Sequence, residues 1–277
     1  MHNKDTKVLS FERIVRAFYF RLVVKPRETI LRINYRVRNH YHRIVVQLVD
    51  RLPVPPPHLI SFTTGNEDVP WFIKSGKLGA ESLDVTLRKN GIDIYQFEAI
   101  LDFGCGIGRV IRHFRSLQKT KIYGTDYNHE LIAWCKKCIK FADFRTNPIH
   151  GPLDFEDEFF DFIYALSVFT HLTEEQQFYW IEELTRVLKP GGFLFITVHG
   201  VSYLHTMNPE DHDRFNRGEL VVYGSQHEGG NLCTTYHPDR YVRDKLAKSL
   251  ILVDHIPTGA LGNPHQDVYF FKNLLLT

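Results

Sequence analysis

At 277 residues, 43% hydrophobic and 24% charged, the chain is long enough for one large α/β domain plus an appendage. No run of about 18 uncharged apolar residues occurs, which argues against a membrane-spanning helix, and no signal-peptide core is evident. Four cysteines in this length do not make a disulfide framework, so a reducing, cytoplasmic setting is expected.

Charge is uneven along the chain. Residues 1–52 hold 12 Lys and Arg against 4 Asp and Glu, a net of +8, and the remainder has a net of −6. Phe11, Phe18, Phe20, Tyr35 and Tyr41, with apolar clusters at 22–24 and 44–52, read as two helices broken near Pro26. Two roles stand open for this basic helical extension. The preferred one is a cap or homodimer element whose aromatics pack on apolar surface; the other is attachment to an anionic membrane surface or another acidic partner. Leu52-Pro53-Val54-Pro55-Pro56-Pro57 then predicts a stiff Pro-rich linker over residues 53–69, irregular as far as Trp71, because proline fixes φ and lacks the donor N–H. A domain over residues 70–277 follows. Its first helix is expected from about Gly79 to Asn90, stopping at Gly91.

The most informative stretch is Ile100-Leu101-Asp102-Phe103-Gly104-Cys105-Gly106-Ile107-Gly108-Arg109-Val110. Ala99 to Phe103 reads as a short buried strand. Three alternating glycines follow, and then a helical pattern with Val110, Ile111, Phe114 and Leu117 on one face. Such a turn sets bare backbone beside a ligand. Arg109 stands where a dinucleotide loop places its last glycine, and Asp102 at the strand tip would repel a pyrophosphate but attract an ammonium. Both features point to S-adenosylmethionine rather than NAD. Lys121 to Asp126 reads as the next strand, and an acid roughly 20 residues past the loop is placed to accept from both ribose hydroxyls. Tyr127 is positioned to lie against the adenine.

These residues resemble the class I S-adenosylmethionine-dependent methyltransferases, with a glycine-rich first motif at Asp102–Gly108 and a ribose-binding acid at Asp126. The likeness extends through Phe160–Ser167 and through Arg186–Leu194, where such enzymes leave a helix and enter the fifth strand. The resemblance implies a seven-stranded, mostly parallel, doubly wound sheet with its last strand antiparallel. It further implies that Asp102, Gly104, Cys105, Gly106 and Gly108 surround the methionine end of the donor and Asp126 its ribose. Asn147, Leu166 and Ser167 are candidates near the adenine and the loop after strand four.

Cys135 and Cys138 form a Cys-x-x-Cys pair inside an amphipathic helix capped by Asn128 and read as structural, since zinc would need a second pair. Thr173-Glu174-Glu175-Gln176 is a capping box opening the next helix. After strand five, 193–198, the alternation fails for about 50 residues. Here 219–223 and 231–236 read as a hairpin across Gly229-Gly230, Pro238 opens a helix, and 250–255 and 267–271 close the sheet. The insertion, about 199–249, reads as the lid and acceptor pocket, since ligands bind outside the carboxyl ends of such strands.

Methyl transfer rests mainly on positioning, with a base where the acceptor must lose a proton. Histidine titrates near neutrality, and position is the filter. His171 follows the fourth strand and His199 ends the fifth, so both are candidate bases; His205, Tyr236 and His237 on the lid are candidate acceptor contacts. Tyr164-Ala165-Leu166-Ser167 lacks the Asn/Asp-Pro-Pro-aromatic motif of amino-methylating nucleobase enzymes, and no Pro-Cys dipeptide occurs for a cytosine-C5 enzyme. A small-molecule acceptor methylated on oxygen or nitrogen is therefore expected, with nucleic acid disfavoured and no metal needed. Protein or RNA methylation using the basic arm, or donor binding without turnover, are the alternatives.

Overall fold

A computed structural model describes residues 39, 41, 44, 51–263 and 265–274. The chain divides into two units, Met1–Val54 and Pro55–Thr277. Asn39, Tyr41 and Ile44 of the first unit are helical; the other expectations for the basic extension fall outside the described residues.

The second unit begins with a helix, not with an irregular linker. Helix α1 spans Pro57–Thr64 and stops at Gly65 in the left-handed region. Proline at a first helical position costs no hydrogen bond and sets φ in advance, so the proline run launches a helix here. Helix α2 covers Val69–Lys89, ten residues more than expected at its start, with the Asp68 carboxylate accepting from Trp71 N–H. Gly76 and Gly79 lie inside it. They are there for close approach: a Cβ on Gly76 would sit 2.2 Å from Arg109 O.

Strands β1 (Ala99–Phe103), β2 (Lys121–Asp126), β3 (Asp143–Thr146), β4 (Phe160–Ala165), β5 (Leu188–Val198), β8 (Ile251–Ile256) and β9 (Asp267–Lys272) form one sheet. Their order is β3-β2-β1-β4-β5-β9-β8, with β9 antiparallel to both neighbours and the other pairs parallel. All five β1 residues are buried, the signature of a strand covered on both faces. Leu101, Ile163, Leu194 and Tyr269 join Trp180, Ile181 and Leu184 of helix α4 (Glu174–Val187) in one core. Side chains such as Trp180 and Leu184 each contribute about 1.5–3 kcal/mol by leaving water. On the other face Phe97 stacks on Phe162 and Phe114 meets Tyr164 edge-on. The chain runs outward from β1 to β3 and then returns to place β4 beside β1. That reversal opens a crevice at the strands' carboxyl ends, where ligands bind in such sheets.

Local elements depart from the sequence reading in three places. After the glycine loop the chain makes a 3-10 turn, Ile111–Phe114, in place of a long helix. Val110, Ile111, Phe114 and Leu117 are all buried as expected, but His113 N–H reaches Val110 O three residues back, tightening the turn. Thr173 does cap α4, yet its side chain makes no cap bond and is engaged by Glu228. The hairpin strands are shorter than expected, β6 (Val221–Tyr223) and β7 (Thr234–Tyr236), and form their own two-stranded sheet. Helix α3 (His129–Cys138) lies after β2 with Asn128 accepting from Glu130 and Leu131 N–H; on it Cys135 is buried and Cys138 half-buried, both as free thiols. No described helix is long and apolar enough to cross a membrane.

Candidate functional site

A cavity of about 530 Å³ opens at the carboxyl ends of β1, β2 and β4, within the range of about 300–1,000 Å³ usual for small-ligand sites. Its floor is the glycine loop. Gly104, Gly106 and Gly108 all have positive φ, and a Cβ on Gly104 would stand 2.4 Å from Val168 Cγ2. Only a bare backbone passes there. Gly108 itself faces Ile139 and lies outside the cavity lining, whereas Gly104, Cys105 and Gly106 line it.

Two carboxylates stand at the tips of adjacent strands. Asp126 receives Gly106 N–H at 2.9 Å on one oxygen and Asn128 N–H at 2.8 Å on the other. Burial raises its carboxyl above the ordinary range, and those two N–H groups pull it back. Asp102 is 4% exposed. Burial lifts its carboxyl to about 7, with nearby Tyr164 and Arg109 opposing the rise. The Arg109 guanidinium turns to the β8–β9 loop, donating to Gly262 O and Asn263 Oδ1.

Tyr127, Asn147, Leu166 and Ser167 also line the cavity. The Asn147 Oδ1 is buried with no hydrogen-bond partner among the described residues, and the same holds for Thr63 Oγ1 on α1. Unpaired buried polar atoms are rare and expensive. Both residues line the cavity, so each orphaned atom marks unmet bonding capacity beside it. A carboxylate for an ammonium, a second for ribose hydroxyls and an amide oxygen for an adenine amino group fit S-adenosylmethionine. Ser167 holds a left-handed φ of 62°. It is fixed by its N–H to Thr197 Oγ1 and by Gln266 Nε2 to its Oγ.

The candidate bases separate. His171 lines the cavity. Its Nδ1 lies 2.7 Å from Cys233 O, and a carbonyl only accepts, so Nδ1 carries the proton and the neutral ring keeps its lone pair on Nε2. Burial lowers its pKa, and the Cys233 carbonyl works against that shift. His199 does not line the cavity: β7 covers it through the His199–Tyr236 bridge. Its ring meets Tyr203 at a tilt of 35° with centroids 4.1 Å apart, with Nδ1 on Thr235 O and Nε2 on Gln266. Burial drives its pKa to about 4. His205, Tyr236 and His237 also lie outside the lining. His205 bonds Ser202 O, the Tyr236 hydroxyl accepts from Thr206, and His237, fully buried and lowered by burial to about 3, meets Gln177.

Glu228 to Leu232, from the segment expected to form the lid, complete the wall together with residues that the sequence reading did not name as contacts: Phe62 and Thr63 from α1, Trp180 from α4, and Asn263. The proline at the start of α1 was the one local signal for the first pair. No group of three or more His, Cys, Asp or Glu able to hold a metal occurs among the described residues.

Residues 101–196 match the methyltransferase domain family. A tRNA (carboxymethyluridine(34)-5-O)-methyltransferase of Arabidopsis thaliana is 38% identical over 104 residues, covering 36% of this chain and 23% of that protein. A sterol 24-C-methyltransferase of Clavispora lusitaniae is 30% identical over 131 residues, covering 45% of this chain and 34% of that one. The chain thus spans about a third or less of these relatives' length. In fold it is similar to an S-adenosylmethionine-dependent methyltransferase from Mesorhizobium loti, with a TM-score of 0.50 at 12% identity, over 69% of this chain and 98% of that one. The glycine loop and the paired strand-tip acids lie within the matched region, β8 and β9 complete the 3-2-1-4-5-9-8 sheet beyond it, and residues 101–196 form a methyltransferase domain of the class I S-adenosylmethionine-dependent kind.

Proposed function

We propose that the protein transfers a methyl group from S-adenosylmethionine to an oxygen or nitrogen of a small-molecule acceptor, with His171 as the base. The carrying observation is that Asp102, Asp126, Asn147 and His171 line one cavity roofed by the lid. When bound, S-adenosylmethionine supplies a methyl group on a sulfonium, already a good leaving group. Asp102 holds the ammonium, Asp126 the ribose hydroxyls and Asn147 the adenine amino group. His171 has one nitrogen committed to Cys233 O and the other free to take the acceptor's proton. Leu166, Leu172 and Trp180 keep water from the reacting atoms. A volume of about 530 Å³ shared by donor and acceptor favours a compact acceptor group.

A second reading, RNA methylation, is favoured by the stretch shared with the tRNA enzyme and by the net charge of +8 on residues 1–52. One assay separates the two. Transfer of radiolabelled methyl is measured with the full chain against a panel of hydroxylated and amine metabolites and against bulk tRNA. Label in the metabolite fraction supports the first reading, and label confined to RNA replaces it with the second.

A further inference from the structure

The lid segment 225–237 crosses the cavity and is stapled to 171–173. Gly229 N–H donates to His171 O at 2.8 Å, His171 Nδ1 to Cys233 O at 2.7 Å, and Thr235 Oγ1 to Leu172 O at 2.7 Å. Thr173 N–H donates to Glu228 Oε1 at 2.8 Å, and the Thr173 hydroxyl donates to the same oxygen. Glu228 is the charged member of this row. Its side chain is 16% exposed, and its other oxygen lies 4.0 Å from His150 Nε2. A carboxylate accepting two donors forms bonds about twice as strong as neutral ones. It also accepts the N–H of the N-cap residue Thr173, the bond that the third helical residue supplies in a capping box.

The consequence falls on His171. Neutral imidazole in water prefers its proton on Nε2, and the bond made by one nitrogen decides which tautomer a protein holds. Here the lid carbonyl of Cys233 imposes the opposite form.

We propose that Glu228 is a positioning residue: by accepting the N–H and hydroxyl of Thr173 at the start of α4 it holds the lid so that Cys233 O fixes His171 in the tautomer whose Nε2 is free to accept a proton. The catalytic consequence rests on the function proposed above, while the latch is a property of the fold. The test uses the full chain with 15N-labelled histidine. Long-range proton–nitrogen spectra read the His171 tautomer, assigned by the signals missing from His171→Gln. The parent should show Nδ1 protonated. In Glu228→Ala the Nε2-protonated form should become the major one, and Glu228→Gln, which keeps an acceptor oxygen for Thr173, should restore the parental form. A folded Glu228→Ala protein with parental His199 and His237 signals and an unchanged His171 tautomer overturns the latch. If that variant does not fold, Thr173→Val removes one of the two donors alone: a tautomer mixture is expected, and a purely parental spectrum overturns the idea. Calorimetry with S-adenosylhomocysteine on the parent is read separately. No binding there would sink the methyltransferase reading and leave the latch result standing.

Discussion

Replacing Asp126 by asparagine changes the donor cradle at a single atom. The two carboxylate oxygens serve two backbone donors, Gly106 N–H at 2.9 Å and Asn128 N–H at 2.8 Å. An amide has one oxygen, so one N–H meets an NH2 group, and in the proposed donor site the ribose hydroxyl on that side loses its acceptor. An unpaired buried group costs about 1–3 kcal/mol, and at about 1.4 kcal/mol per tenfold this weakens S-adenosylhomocysteine binding about 5- to 150-fold. The ligand-free fold bears a similar loss, which lowers the melting temperature by about 2–12 °C for a unit of this size. Titration calorimetry at mildly alkaline pH gives the affinity, and scanning calorimetry shows that the variant is folded. A folded Asp126→Asn protein with parental affinity refutes the ribose assignment.

Burial holds Asp102 at about 7, so affinity for S-adenosylhomocysteine should fall about tenfold between about pH 8 and pH 6, and Asp102→Asn should flatten that slope; a pH-independent parent rules this out. The ligand-free fold responds with the opposite sign. The folded value lies above the unfolded one of about 4, so this group's contribution to stability shrinks as pH climbs from about 4 to about 7. Burial of neutral His237 at about 3, below the unfolded value of about 6.5, costs about 2 kcal/mol by about pH 5, lost progressively as pH falls. Because the two contributions oppose each other, the measurement is the difference in urea stability between the parent and His237→Gln, whose acid slope should be shallower. His171→Ala should cut turnover about 10²–10⁴-fold while leaving donor affinity intact. His199→Ala, at a ring outside the cavity, should register mainly in melting temperature, and a large turnover loss at parental stability would reinstate His199 as the base.

The parts of this molecule readable from sequence are those whose cause is local. The apolar run of β1, the glycines that follow and Asp126 at the end of β2 lie within thirty residues, and each residue type follows from its own backbone or ligand. The misreadings come from partners distant in the chain. The helix expected from Gly79 starts ten residues earlier, because nothing local shows that Gly76 packs against Arg109 O. Thr173 and Gln176 spell a capping box, but Glu228, 55 residues on, supplies a better acceptor. His199 sits at a strand end where a base belongs, yet β7 covers it. Ser167 is fixed by Gln266, 99 residues away. Thr63 meets the glycine loop because α1 folds back over it, which no periodicity in 57–64 announces. Tertiary closure decides each of these, and sequence patterns report only what an isolated segment prefers.

The placement of β9 between β5 and β8 has a consequence for synthesis. The ribosome releases β8 before β9, yet among the described strands β8 pairs only with β9. Strands β1 to β5 can assemble as soon as residue 198 has emerged, leaving the outer edge of β5 open while some 70 further residues are made. A long apolar strand with unpaired N–H and C=O groups is a template for wrong partners. The nascent chain is therefore most exposed to mispairing after β5 and before Asp267–Lys272. A chaperone that engages translating chains would find its target in that interval.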